Sequence, residues 1–363
     1  MSSKGFRRQA GQLAIAGFAG HAIPADLKAL AREFDLGGVI FFARNIDSPE
    51  QVAELSREAR ELARDLPLWV SVDQEGGRVA RLREPFTRWP PMNTLGRSGD
   101  EALAERFARA LAAELRAVGI SMSYAPVLDV LTNPTNPVIG DRSLAECADD
   151  VARLGTVIIR TLQKEGIAAS GKHFPGHGDT SVDSHFALPL IEHSPERLEA
   201  VELVPFKAAI AAGVASIMTA HILIPALDAD RPATLSPAIV DGILKQRLGY
   251  QGLVLSDDLE MKAISGRYGL SEATVMAIAA GCDAVLMCGD EQGKQAAALE
   301  AVIRAVEDGS LSFKRADDAL ARQRRVKERF LTRAATPLKG AALRAVLGRD
   351  EHQAVAAEMH RFA

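Results

Sequence analysis

Short apolar runs rich in branched side chains, each ending in a polar residue or glycine, alternate along this chain with longer stretches of helical periodicity. Runs of that kind read as buried parallel strands, and the stretches between them as crossover helices. Eight runs fit: QLAIAGF, GGVIFF, LWVSVD, SMSYAPVLDV, IAASGKHF, ASIMTAHI, GLVLSDD and DAVLMCG, beginning near residues 12, 37, 68, 121, 167, 215, 252 and 283. Eight such units predict an α/β fold closed on itself, a single (β/α)8 barrel of the TIM type. The punctuation agrees. Ser48-Pro49-Glu50-Gln51 offers an N-cap, a proline at the first helical position and a capping-box glutamine, and Ser236-Pro237 opens a second helix in the same manner. Gly119, Gly213, Gly249 and Gly281 stand where helices end and strands begin, positions that favour a left-handed residue.

The remainder from about 311 to 363, which includes SFKRADDALARQRRVKERF, reads as helical and charged and is expected to pack outside the barrel. No internal repeat or flexible linker interrupts the chain, so residues 1–363 read as one domain with its core over about 10–310. The basic start, MSSKGFRRQAGQLAIAGFAG, has too short an apolar part for a signal peptide and reads as a first strand.

Composition narrows the function. With 47% hydrophobic and 25% charged residues in 363, the chain can bury a large core, and no apolar run approaches the roughly 18 residues of a membrane span. A formal net charge of −4 supplies no overall positive field for nucleic acid or an acidic membrane. Cys147, Cys282 and Cys288 are odd in number and have neither zinc-ribbon nor redox spacing, which points to a reducing compartment, the cytoplasm. A monomer acting on a small molecule is the expectation.

A barrel of this kind places its chemistry at the C-terminal ends of the strands. Those ends carry Arg44-Asn45, Asp73, Asp129, Lys172-His173, His221 and Ser256-Asp257-Asp258. Asp257 ends GLVLSDD, where a carboxylate on a rigid strand faces the mouth, and is the nucleophile candidate. Asp258, its neighbour, should turn to a flank and serve structure. After the fifth strand comes GKHFPGHGDTSVDSHFALP, residues 171–189, whose glycines permit a turning, movable path over the mouth. In it Asp183 lies two residues from His185, close enough to fix one ring nitrogen and leave the other for proton transfer. His173, His177, His185 and His221 with Asp257 also form the inventory of a zinc-dependent barrel amidohydrolase. The first strand, however, ends in glycine and alanine and lacks the close histidine pair of that class, so no metal is assigned. His177 is expected to shape the loop, His221 to hydrogen-bond from a buried position, and His352 and His360 to be solvated.

Three motifs, VDQEGGRVARL at 72–82, KHFPGHGDTSVDSHFALP at 172–189 and LSDDLEM at 255–261, closely resemble the family 3 glycoside hydrolases, with NPVIGDRS and MTAHI in order between them. More narrowly they resemble bacterial cytoplasmic β-N-acetylglucosaminidases of cell-wall recycling. The resemblance implies a retaining hydrolase without a cofactor that removes terminal N-acetylglucosamine from anhydro-muropeptides. It implies Asp257 as nucleophile, His185 as acid and base with Asp183 as its partner, and sugar binding by Asp73, Arg81, Arg142, Lys172 and His173. Leu144 departs from the pattern, standing after Ser143 where relatives often carry an aromatic residue. An N-acetylglucosaminide phosphorylase on the same scaffold and a non-catalytic sugar-binding barrel are the further alternatives.

Overall fold

The computed structural model describes residues 3–332 and 334–363. Its strands are β1 (Ala14–Ala16), β2 (Gly38–Phe41), β3 (Trp69–Val72), β4 (Gln74–Gly76), β5 (Val79–Ala80), β6 (Met122–Ser123), β7 (Ala168–Phe174), β8 (Ser216–Thr219), β9 (Leu253–Asp258) and β10 (Ala284–Met287). Eight of them close a parallel barrel in the order β1-β10-β9-β8-β7-β6-β3-β2, and each falls inside one of the apolar runs named above. The two others, β4 and β5, pair antiparallel as a small hairpin after β3. That hairpin escaped the sequence pattern because it is short, turns through Gly76 and Gly77 at positive φ, and carries no apolar alternation.

Two layers of core follow from a barrel wrapped in helices. Ile15, Ile40, Trp69, Met122, Leu253 and Leu286 are among the side chains that fill the barrel, and a larger cluster packs the strands against the surrounding helices. The helix Pro49–Arg60 begins at Ser48, whose side chain accepts from Gln51 N. Gln51 Oε1 in turn accepts from Asp47 N at 3.0 Å, one residue earlier than a capping box requires. Ser236-Pro237 does open a helical element, Ala238–Arg247, though it is wound as a π-helix. Gly119, Gly213, Gly249 and Gly281 all have positive φ.

One helix of the C-terminal segment does more than pack on the outside. Val326, Phe330 and Leu331, on the helix Phe313–Leu331, join the side chains that fill the barrel. Gln323 Oε1 accepts from Trp69 Nε1 at 3.2 Å, and Lys327 Nζ donates to Gln12 Oε1 at 2.6 Å and Gly37 O at 2.8 Å. Those partners stand at the starts of β1, β2 and β3, so the helix stoppers the end of the barrel opposite the strand tips. Its charged outer face hid this. The helix Asp350–His360 carries His352, which is buried rather than solvated, with Nδ1 2.9 Å from Glu114 Oε1. Of the opening stretch read as a first strand, only Ala14–Ala16 is strand, and Ser3–Gln9 is helical. Among the described residues no helix is long and apolar enough to cross a membrane, and Cys147, Cys282 and Cys288 are unpaired.

Candidate active site

The strand tips surround a cavity of about 160 Å³ lined by Asp73, Arg81, Arg142, Lys172, His173, His185 and Asp257. Of the eight side chains to which the resemblance gives a catalytic or sugar-binding role, only Asp183 is absent from that lining, because it stands behind His185. A larger groove of about 1040 Å³ lies beside the β4–β5 hairpin and is lined by Arg83, Trp89 and His360 among others, but it contains none of the candidate residues. The cavity at the strand tips is therefore the candidate site, since chemistry and not volume selects it.

A buried carboxylate organises the cations. Glu75, on β4, has a side chain 1% exposed and accepts from Arg142 Nε at 2.9 Å and Nη2 at 2.8 Å. Its Oε1 also lies 2.6 Å from Lys172 Nζ, which donates on to Asp73 Oδ1 at 2.8 Å. Asp73 Oδ2 is 3.8 Å from Arg81 Nη2, so two carboxylates and three cations form one chain around the mouth. Burial works against the charge on Glu75, but Arg142 and Lys172 overcome it and hold the carboxyl far below the usual carboxylate range. The same contacts raise Lys172 and Arg142 against burial. Both cations stay charged with donors free for hydroxyl groups.

Asp129, a strand end without an assigned role in the sequence, proves to be a second organiser. It is fully buried and accepts from His173 N at 3.1 Å and His177 N at 2.7 Å, while His173 Nδ1 lies 2.7 Å from its Oδ2. The ring of His173 is thereby oriented with its other nitrogen toward the cavity side. His177 shapes the loop as expected, with Nδ1 2.7 Å from Thr180 Oγ1 and Nε2 3.3 Å from Ser184 Oγ. Burial pushes it down to about 4. His221 is buried and spends its nitrogens on Thr234 Oγ1 at 2.8 Å and Asp258 O at 2.9 Å. Arg44 and Asn45 tie neighbouring loops, Asn45 Nδ2 donating to Phe18 O at 3.0 Å, and do not line the cavity; Phe42 does. With the rings so committed, no group of three His, Cys, Asp or Glu side chains among the described residues is arranged to hold a metal ion.

Asp257 sits in the last turn of β9, partly buried, with Oδ1 accepting from Asp258 N at 2.8 Å. Burial works to raise its carboxyl, but the imidazoles of His221 and His173, the Asp258 amide and Lys172 outweigh it and hold the group below its ordinary value. Asp258 turns to the flank, accepting from Glu260 N and Cys288 N at 3.1 Å each, and burial pushes it up to about 6. Adjacent carboxyls on one strand are thus driven apart, leaving Asp257 as the anion. Asp183 through Ala187 form a helical turn above the cavity, in which Asp183 Oδ1 accepts from His185 N at 2.8 Å and lies 2.8 Å from His185 Nδ1. Burial opposes the charge on Asp183, and the bonds from His185 lower it below the usual value. Ala263 N donates to Ser184 O at 3.1 Å, which ties this turn to the segment following Asp257. The His185 side chain is 61% exposed, with Nε2 left for a reacting partner.

Glu75 is the residue that sequence reasoning missed. It stands in VDQEGGRVARL, and the fold buries it against Arg142 and Lys172, whose charges it balances.

Known proteins share this arrangement of chain. A β-N-acetylglucosaminidase of glycoside hydrolase family 3 from Paenibacillus sp. superposes with a TM-score of 0.93 at 43% identity, over 98% of this chain and 68% of that one. NagZ from Neisseria gonorrhoeae, in complex with N-trifluoroacetyl-D-glucosamine, gives a TM-score of 0.77 at 34% identity over 97% of this chain and 98% of its own. A β-hexosaminidase from Nitrosomonas eutropha is 42% identical over 261 residues, 70% of this chain and 74% of that protein. β-Hexosaminidase A from Pseudoalteromonas piscicida is 38% identical over 73% of this chain, which spans about half (48%) of that relative's length. Residues 6–326 match the glycosyl hydrolase family 3 N-terminal domain, a span that takes in the barrel and most of the helix that stoppers it. On that match and these relatives, the chain belongs to glycosyl hydrolase family 3.

Proposed function

We propose that the protein is a retaining exo-β-N-acetylglucosaminidase that releases terminal N-acetylglucosamine from peptidoglycan fragments carrying an anhydro-muramic acid. The observation that carries this reading is one cavity lined by an anionic strand-end carboxylate, Asp257, and by a histidine, His185, held by its own carboxylate partner. Retention needs an anionic nucleophile and one group that first gives and then takes a proton. Asp257 attacks the anomeric carbon as His185 Nε2 protonates the departing glycosidic oxygen. The covalent glycosyl-enzyme is then opened by a water from which the now neutral His185 removes a proton, and Asp183 stabilises the imidazolium that donates in the first step and re-forms in the second. Asp73, Arg81, Arg142, Lys172 and His173 bind the sugar hydroxyls. No step calls for a cofactor, and the reading places the enzyme in the cytoplasm as a monomer.

The relatives' names support the sugar, and the acidic and basic groups around the mouth suit a polyhydroxylated substrate. Proton NMR of the first product from an aryl β-N-acetylglucosaminide tests the mechanism: the β-anomer should appear first and mutarotate afterwards. Initial release of the α-anomer would refute retention. The same assay in phosphate buffer should yield free sugar, and sugar-1-phosphate would identify a phosphorylase instead.

A further inference from the structure

Residues 180–192 leave the barrel and return, carrying Asp183 and His185 between their ends. The two ends meet in a single cluster. Asp179, just before the excursion, and His193, just after it, lie 2.8 Å apart from Oδ2 to Nε2. The contact is close without being aligned as a hydrogen bond. Asp179 Oδ1 accepts from Thr132 Oγ1 at 2.9 Å, and Asn133 Nδ2 donates to Thr180 O at 3.2 Å, which binds the outgoing end to the segment after β6. On the returning side His193 Nε2 stands 4.0 Å from Glu202 Oε1, and Arg197 Nη2 donates to that same oxygen at 3.3 Å. Glu202 is buried, its Oε2 has no partner, and its Cβ lies 2.8 Å from where a side chain on Gly176 would begin. It forms the floor on which the outgoing strand turns.

The excursion is also fastened on its return, where Ile191 N donates to Leu223 O at 2.9 Å and Leu223 N to Pro189 O at 2.8 Å; the turn before it is held more lightly. Val182, Phe186 and Leu190 are 40%, 80% and 49% exposed, three of the four large apolar side chains exposed among the described residues. Little apolar burial therefore fixes the turn that carries His185. Its position follows from the Ser184 contacts and from where the ends are fastened.

We propose that Asp179 and His193 form a clasp that sets the position of the acid/base loop, acting through His185 as positioning residues. The proposal rests on the reading of His185 as acid and base. Opening the clasp leaves Asp257 and the sugar contacts in place and reduces the time His185 spends at the departing oxygen. The loss should then grow with the leaving group's need for a proton, because misplacement of a reacting group by about 1 Å costs on the order of 100-fold.

The test is a series of β-N-acetylglucosaminides from dinitrophenyl to alkyl and disaccharide leaving groups, with kcat/KM reporting the glycosylation step. His193→Ala and Asp179→Ala should each lower kcat/KM about 10- to 100-fold for poor leaving groups and less than about threefold for dinitrophenol. The double variant should be no worse than either single one, and His193→Gln, which keeps a donor near the Nε2 position, should recover most of the loss. Equal losses across the series, accompanied by a lower melting temperature, would assign the pair a merely structural role and overturn the proposal, as would the absence of any loss. His185→Ala in the same series separates the two readings. If it is sensitive to the leaving group while His193→Ala is not, the clasp alone fails; if it is insensitive, the acid/base assignment fails and the clasp with it.

Discussion

Replacing Glu75 by glutamine keeps the shape of the side chain and removes its charge, a sharp test of how the cations lining the cavity are held. The carboxylate takes two bonds from Arg142, at 2.9 and 2.8 Å, and a third contact of 2.6 Å from Lys172. Each charge-assisted bond is worth roughly 1.5–3 kcal/mol, and breaking a buried ion pair by removing one partner costs roughly 3–5 kcal/mol. Lys172 retains Asp73 at 2.8 Å, so the lower end of that range, about 3 kcal/mol, is expected in urea unfolding. Glutamine offers a single acceptor and turns an N–H toward a guanidinium or an ammonium, so Arg142 and Lys172 should also shift from the sugar. Kinetics on an aryl β-N-acetylglucosaminide should show kcat/KM reduced about 10- to 100-fold, equivalent to roughly 1.4–2.7 kcal/mol of transition-state binding. A variant within twofold of the parent in kcat/KM and within about 0.5 kcal/mol in stability would refute the claim that this carboxylate organises the site.

Other substitutions probe separate parts. Asp257→Ala should abolish turnover of aryl β-N-acetylglucosaminides by about 10⁴-fold or more, and near-normal steady-state rates would remove it as nucleophile. His185→Ala should slow substrates with poor leaving groups by about 10²- to 10⁴-fold and activated ones far less in kcat/KM; equal losses would make the histidine structural. Lys327 supplies a pH test of the barrel stopper, since burial pushes its ammonium from 10.5 down to about 7, with Asp35 pulling the other way. As pH rises the folded chain sheds this proton before the unfolded chain does. The unfolded state therefore binds more protons between pH 7 and 10.5, and stability from this group increases across that window by about 1.4 kcal/mol per pH unit. Wild type should gain on Lys327→Met from pH 7 to 9 in urea unfolding, and a difference that does not change with pH would contradict the burial argument.

The barrel was legible because each strand is apolar on both faces and bounded by glycine or a polar tip, a pattern that survives without knowledge of neighbours. The helix Phe313–Leu331 was not. Its interior face includes Lys327 and Gln323, polar residues whose burial depends on partners hundreds of positions away, Gln12 and Trp69. His352 was misread for the same reason, since only the fold brings Glu114 to it. Within the site, Asp257 and the Asp183–His185 pair stood out by strand position and by spacing. Glu75 and Asp129 act by holding other residues, and a carboxylate with that task has no local signature. The contact of Asp179 with His193 closes a loop of irregular chain, where no periodicity can announce it.

The proposed mechanism depends most on a covalent bond between Asp257 and the anomeric carbon. A 5-fluoro glycosyl fluoride of the N-acetylglucosamine series, followed by tryptic digestion and mass spectrometry, tests it directly. A stoichiometric label is expected on the peptide Leu248–Lys262, at Asp257 and not at Asp258. A label on any other residue, or full inactivation-free turnover with an unlabelled peptide, would contradict it.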